Sequence, residues 1–175
     1  MMNVKKIGAA KIATSAAALA VYVVESLFPP LILPGAKMGL SNVFVLLALV
    51  CLGVGYAFAA LSVKIAVGNL IVGNFSTLMY SLPAGVISLA VMSLLFFNGK
   101  SRFGLIALSV AGAVVHNAVQ NAVYALVTDT PAVLSLLPYL ALIGVLSGAI
   151  VGAATYFALK IVPKSQWQRL LDGVG

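Results

Sequence analysis

The sequence has few charged side chains and few groups that bind metals. Only 7% of its 175 residues are charged, and it contains three acids, one histidine and one cysteine. A soluble domain carries roughly 25% charged residues, so the composition excludes an ordinary water-soluble domain. A lone histidine and a lone cysteine cannot build a zinc site or a bis-histidine haem site, and Cys51 has no partner for an internal disulfide.

Several kinds of catalytic chemistry are also absent. The three acids, Glu25, Asp129 and Asp172, are scattered along the chain, so no carboxylate cluster is available to hold Mg²⁺ for diphosphate chemistry. No phosphate loop of the G-x-x-x-x-G-K-[ST] type occurs. The sequence therefore predicts no catalytic residues, no metal and no cofactor, and a protein that is not an enzyme by itself.

Apolar residues dominate what is present. They make up 63% of the chain, and the mean hydropathy is +1.18. No polar stretch is long enough to fold alone, so we expect an all-α integral membrane protein with one transmembrane domain over residues 1–175, in contact with membrane lipid. The net charge of +7 comes from basic residues that flank apolar spans, which favours a membrane topology over a nucleic-acid partner.

The number of spans depends on one long apolar run, residues 40–72. It is longer than the ~20 residues that a span needs, and Gly53-Val54-Gly55 lies inside it, so the run is either one tilted helix or two helices joined by a tight turn. Only an even number of spans puts the N-terminal lysines, Lys100, Arg102 and the C-terminal bases on one side. The positive-inside rule thus predicts six spans in the cell membrane with both termini cytoplasmic. The predicted spans are 7–27, 40–53, 55–72, 81–97, 104–127 and 133–161.

Three connecting or terminal segments look unusual. Residues 29–35 carry three prolines and are apolar, so we expect them to fold back against the bundle without forming a regular helix. Residues 74–82, which precede Pro83, are a second candidate for partly buried, non-helical chain. Residues 163–171 contain Trp167 and predict a short interfacial helix.

Polar side chains in the spans indicate where a ligand would bind. Polar groups are costly in hydrocarbon, so they usually face a bundle interior or a cavity. In the six-span topology they lie toward the outer half, with Lys64 and His116 near the midplane, which predicts a cavity that opens to the outside. The predicted ligand-binding residues are Lys37, Asn42, Lys64, Asn69, His116, Asn117, Gln120 and Asn121.

The charges suggest an anionic or amphipathic ligand. One of Lys37 and Lys64 can pair with Glu25, which leaves the other without a protein partner, and a ligand carboxylate or phosphate would offset that cost. Two alternatives remain open. Lys64 either snorkels or sits neutral while Glu25 and Lys37 anchor the interface, and the polar face around His116 serves as hydrogen-bonding contact between helices.

Small residues repeat every four positions in the first helix. Ala9, Ala13 and Ala17 form one such row, and this spacing lets another helix approach closely. The row is either ordinary packing inside the bundle or a docking surface for a partner. Gly144, Gly148 and Gly152 form a similar row in the last helix, for which internal packing is expected.

Four segments carry a resemblance to a known family. They are PGAKMGLSN at 34–42, GN at 68–69, YSLPAG at 80–85 and VAGAVVHNAVQ at 110–120. Over residues 8–160 the chain resembles the Gx transporter family, which is also labelled heptaprenyl diphosphate synthase component I. That family is similar to the substrate-binding S components of energy-coupling factor (ECF) transporters. The resemblance implies six helices, an outer ligand pocket and an Ala-x-x-x-Ala first helix that docks on a coupling subunit.

Three functional hypotheses follow. The first is an S-component-like membrane subunit that captures a small molecule from outside and is energised by partner subunits in a hetero-oligomer. The second is a membrane subunit of a quinone- or flavin-linked extracellular electron-transfer complex, since His116 with Asn117 or Gln120 can donate hydrogen bonds to quinone carbonyls. The third is a membrane partner of a prenyl diphosphate synthase, whose catalytic acids would belong to another chain.

Overall fold

The regular secondary structure of the described residues is entirely helical. The computed structural model describes residues 4–27, 39–98 and 103–161. These contain six α-helices and one short 3₁₀ helix, in agreement with the predicted all-α fold. The helices are α1 Val4–Leu27, α2 Asn42–Leu52, α3 Val54–Val72, α4 Phe75–Asn98, α5 Leu105–Val127 and α6 Leu137–Ile161, with the 3₁₀ helix at Pro131–Leu136.

Four helical segments are long and apolar enough to cross a membrane. They are Val54–Val72, Phe75–Phe97, Leu105–Val127 and Pro131–Ile161. The apolar helix α2 has 11 residues, about 16 Å at 1.5 Å per residue, roughly half of a ~30 Å hydrocarbon core. The described part of the chain is therefore compatible with a multi-pass membrane protein.

The long apolar run at residues 40–72 forms two helices joined by a tight turn, which is one of the two alternatives that the sequence left open. α2 and α3 meet at Gly53, whose φ of 89° and ψ of 169° lie in a region that only glycine adopts without strain. α2 lies at the centre of the fold, because Val45, Leu46, Ala48 and Leu49 are almost fully buried.

The prediction of a non-helical segment at 74–82 is wrong. α4 begins at Phe75 and continues through Pro83, and the Thr77 amide donates to the Asn74 side-chain oxygen at 3.1 Å. Asn74 thus satisfies one of the free amides at the start of the helix. Proline inside a transmembrane helix is tolerated where neighbouring groups satisfy the backbone that it frees, so Pro83 did not mark a boundary.

Two other predicted segments lie outside the described residues. They are the proline-rich connection at 29–35 and the interfacial helix at 163–171. The last predicted span, 133–161, begins as the 3₁₀ helix and becomes α-helical at Leu137.

Glycines set the closest helix contacts. A Cβ on Gly148 would lie 2.6 Å from the Val110 Cα, and one on Gly152 would lie 2.6 Å from the Ile106 Cα. The glycine row of α6 therefore packs directly on the α5 backbone, which confirms that it is internal. Residues of α5 approach α6 in reverse order, so the two helices are antiparallel.

Candidate functional site

A cavity of about 680 Å³ lies between the helices. All six α-helices contribute to its walls, and its volume falls in the ~300–1,000 Å³ range of small-molecule sites. Most of the wall is apolar. The polar and charged side chains that line it are Tyr22, Glu25, Ser26, Ser41, Asn42, Lys64, Asn74, Thr77, Tyr80, Ser81, Ser88, Ser109, His116, Asn117, Gln120 and Ser147.

Glu25 holds the start of α2 against α1. Its Oε1 accepts a hydrogen bond from the Leu40 amide at 2.6 Å, and its Oε2 accepts one from the Ser41 amide at 3.1 Å. These amides precede the first turn of α2, where a carboxylate is stabilised by free N–H groups and by the helix dipole. Glu25 therefore has a structural role that its place near the end of α1 did not reveal.

Lys64 joins α3 to the same turn. Its ammonium donates to the Asn42 Oδ1 at 2.6 Å and to the Ser41 Oγ at 3.4 Å, and it lies 5.8 Å from the centre of the Tyr22 ring. The residue is only 4% exposed. The expectation of a lysine without a protein partner therefore does not hold for Lys64. We call Glu25, Ser41, Asn42 and Lys64 the Ser41 network.

The Ser41 network also shows where α2 begins relative to α3. Lys64 is the eleventh of the 19 residues of α3, so the first turn of α2 lies beside the middle of that helix. The start of α2 is therefore inside the bundle, where it forms part of the cavity wall.

His116 and Gln120 lie on the opposite wall. Both line the cavity from α5, where they are one turn apart, and His116 interacts with the Gln120 side chain and the Ala84 backbone. His116 also lies near the Lys64 ammonium. The structure thus brings Asn42, Lys64, His116 and Gln120 to one cavity.

Three predicted asparagines are engaged by the protein. The Asn69 Oδ1 accepts a hydrogen bond from the Tyr22 hydroxyl at 3.1 Å, and its Nδ2 donates to the Ile65 carbonyl at 2.7 Å. The Asn121 Nδ2 donates to the Val133 carbonyl at 2.9 Å, which ties the 3₁₀ helix to α5. The Asn117 Nδ2 donates to the Leu140 carbonyl of α6 at 2.9 Å.

Of these three, only Asn117 is among the described residues that line the cavity. The interhelical hydrogen bonding that was left open for the face around His116 is therefore present at Asn117 and Asn121, and Asn69 makes a similar contact to α1. Lys37, the remaining predicted ligand-binding residue, lies outside the described residues.

Sequence reasoning missed the contribution of α4. Ser81, Gly85, Ser88 and Met92 all line the cavity, and their spacing of four, three and four residues places them on one helix face. This spacing is visible in the sequence. The face was not singled out because serine is common in helix packing.

The alanine row of α1 is partly exposed. Ala13 is exposed, Ala17 is half-buried, and the side chain of Ala9 lies outside the described part of the structure. Ala16 and Ala20 are exposed as well, and the neighbouring Ile12 is 72% exposed. Small side chains therefore cover much of the outer face of α1, whereas Ala18 faces the core.

Comparison with known proteins gives one family. The sequence model described as "Heptaprenyl diphosphate synthase component I" matches residues 14–158. No curated protein and no solved structure matches the chain. The matched range contains every described residue that lines the cavity.

Proposed function

The chain belongs to the heptaprenyl diphosphate synthase component I family, and we propose that it is a membrane subunit that binds a small molecule in its central cavity. In this proposal it is an S-component-like bundle of six spans with both termini cytoplasmic. The ligand enters from the outer side, and partner subunits supply the energy for its movement. The chain itself catalyses no reaction.

The observation that carries this proposal is the chemistry of the cavity wall. An ammonium group, an imidazole, amides and hydroxyls converge on a space of about 680 Å³ whose remaining walls are apolar. Such a combination is typical of small-molecule sites, where a few polar groups fix the orientation of the ligand. Buried polar groups inside a membrane bundle also mark ligand sites more often than lipid contacts.

The start of α2 adds support from backbone geometry. A helix that begins beside the middle of its neighbour exposes amide groups inside the bundle, and transporters use such interrupted helices to build sites near the midplane. In this chain the Glu25 carboxylate accepts hydrogen bonds from the Leu40 and Ser41 amides. Its negative charge offsets the positive charge of Lys64 on the same cavity wall. We infer that the ligand is amphipathic, with its polar end beside the Ser41 network.

Native mass spectrometry of the protein in mild detergent tests the proposal. A small molecule should co-purify with the unsubstituted protein at near-stoichiometric amounts. The variants His116→Ala and Gln120→Ala should each lose roughly tenfold in affinity for that molecule, because leaving a ligand group unpaired costs about 1–3 kcal/mol. Lys64→Met should lose most if the ligand is anionic.

A matched substitution controls for general damage to the fold. The buried Ser93 hydroxyl donates to the Leu89 carbonyl at 2.7 Å and does not line the cavity, so Ser93→Ala should keep full occupancy. If His116→Ala and Lys64→Met fold normally and retain the ligand as well as Ser93→Ala does, the cavity is not the binding site.

The family description favours a second candidate. It names a component of a prenyl diphosphate synthase, so a role as the membrane partner of a separate catalytic chain is also open. Affinity purification of the tagged protein from its native membrane separates the two roles. Recovery of an ECF-type coupling protein and its ATPases supports the first role, and recovery of a prenyl synthase chain without them supports the second.

A further inference from the structure

The shape of the cavity points to a long ligand. The α4 residues on its wall run from Thr77 to Met92, about 22 Å along the helix at 1.5 Å per residue. The α5 residues run from Gln120 to Ser109, about 16 Å by the same measure. The cavity therefore extends along α4 and α5, and we call this extended space the shaft.

Contacts between α4 and α5 mark successive levels along the shaft. The rings of Tyr80 and Tyr124 meet at 5.5 Å near one end, and the Ser88 hydroxyl donates to the Gly112 carbonyl at 2.7 Å further along. Met92, one helical turn after Ser88 on α4, also packs on Gly112. Ser109 follows one helical turn deeper, only four residues after the start of α5.

Two serines on this wall have no hydrogen-bond partner within the described part of the protein. Ser81 is 7% exposed and Ser109 is 5% exposed, and both line the cavity. Other serines on the wall bond to protein carbonyls, as Ser88 does to Gly112 and Ser147 to Gly144. A buried hydroxyl without a partner costs free energy, so Ser81 and Ser109 indicate where a bound molecule supplies one.

Ser81 and Ser109 lie at opposite ends of the shaft. Ser81 follows Tyr80, so it lies at the level of the Tyr80–Tyr124 ring pair. Ser109 lies about one helical turn past the contact between Met92 and Gly112, away from that ring pair. The wall between them includes Leu89, Met92 and Val151. A ligand that satisfies both serines needs a hydrogen-bonding group at each end and an apolar middle.

We propose that the cavity binds an elongated amphiphile whose far end carries an uncharged hydrogen-bonding group held by Ser109. Its polar head lies at the other end, near Ser81 and the Ser41 network. This inference rests on the proposed function and specifies the ligand class and a second recognition point. A compact polar metabolite would fill only the end of the shaft near the Ser41 network and would leave the Ser109 hydroxyl unpaired.

A pair of probes that differ only at the far end tests the proposal. The protein in mild detergent is mixed with equal amounts of dodecyl phosphate and 12-hydroxydodecyl phosphate, and the two adducts are quantified by native mass spectrometry. The unsubstituted protein should favour the hydroxylated probe by roughly two- to tenfold, the effect of one neutral hydrogen bond. Ser109→Ala should abolish this preference, and Ser109→Thr should retain it.

Comparing ratios between variants removes the different partitioning of the probes into detergent micelles. Ser93→Ala is the matched buried-serine control and should keep the preference. The proposal is overturned if Ser109→Ala and Ser93→Ala give the same adduct ratio, or if neither probe forms an adduct with the unsubstituted protein. Neither result decides the proposed function, which depends on the co-purified molecule and on His116.

Discussion

At the scale of single residues, the Ser41 network fixes one wall of the cavity. The Ser41 amide donates to Glu25, and the Ser41 hydroxyl accepts from Lys64, so one residue links an acid on α1 to a base on α3. Neither partner is a surface ion, because Lys64 is 4% exposed and Glu25 is half-buried. The network therefore contributes to stability as well as to the site.

Replacing Glu25 with glutamine should destabilise the protein. The amide retains one oxygen for the Leu40 or Ser41 amide but loses the second acceptor and the negative charge at the start of α2. We expect a loss of about 1–2 kcal/mol, measured as a lower midpoint of thermal unfolding in detergent. Asp129→Asn is the control, because this exposed acid has a φ of 49°, which asparagine tolerates. Equal midpoints for both variants would show that the Glu25 contacts contribute nothing measurable.

Which residues could be predicted depends on how unusual each one is in an apolar span. Lys64, His116 and Gln120 stand out in the sequence, and the structure places all three on the cavity wall. Ser81 and Ser109 do not stand out, because a serine in a helix usually bonds to a carbonyl one turn earlier, as Ser93 does. Their lack of such a bond appears only in three dimensions.

At the scale of helices, glycines determine which elements can touch. The turn at Gly53 was predictable because glycine inside a long apolar run is a strong local signal, and the α6 row was predictable from its spacing of four. The start of α4 was not, because Pro83 suggested a boundary and only the contact between Asn74 and Thr77 shows where the helix begins.

Adding a methyl group at two glycines should have opposite effects. Gly148→Ala places a Cβ 2.6 Å from the Val110 Cα and should force α5 and α6 apart, at a cost of about 1–3 kcal/mol in the free energy of unfolding. Gly55→Ala lies in α3 with nothing within 4 Å of the new Cβ, so it should be neutral or stabilising by up to about 1 kcal/mol. Thermal unfolding of both variants in the same detergent measures this contrast. A Gly148→Ala variant as stable as Gly55→Ala would mean that α5 and α6 do not pack as closely as described.

At the scale of the whole molecule, membrane topology decides from which side the cavity is reached. The Tyr80–Tyr124 pair lies toward the end of the bundle that carries Thr130, whereas α4 ends and α5 begins at the other end. If the N-terminus is cytoplasmic, this places the polar end of the shaft on the outer side. The charge distribution supports that orientation.

Cysteine labelling of intact cells tests the orientation. In a Cys51→Ala background, a cysteine at Thr130 should react with an impermeant maleimide, because this residue is exposed in the connection before α6. Cysteines at Ser101 and Ser165 should react only after the membrane is opened. Labelling of Ser101→Cys from outside would contradict the six-span topology and an outer entrance.

The exposed alanines of α1 form the surface on which the sequence suggested that a partner subunit could dock. Ala13→Trp places a large side chain on a face that is open in this chain, so it should leave folding intact and reduce co-purification with a membrane partner. Quantitative pull-down against the unsubstituted protein measures the loss, and Ile12→Trp on the adjacent exposed position shows whether bulk alone matters. An unchanged yield of complex with Ala13→Trp would remove this face as the docking surface.

The most direct test of ligand binding in the central cavity is an experimental structure of the protein with its co-purified molecule bound. We expect continuous non-protein density in the shaft, within hydrogen-bonding distance of His116 or Gln120, with its polar end toward Ser41 and Lys64. Density for the molecule at the lipid-facing surface or at the α1 face, with no density for it in the shaft, would contradict ligand binding in the central cavity.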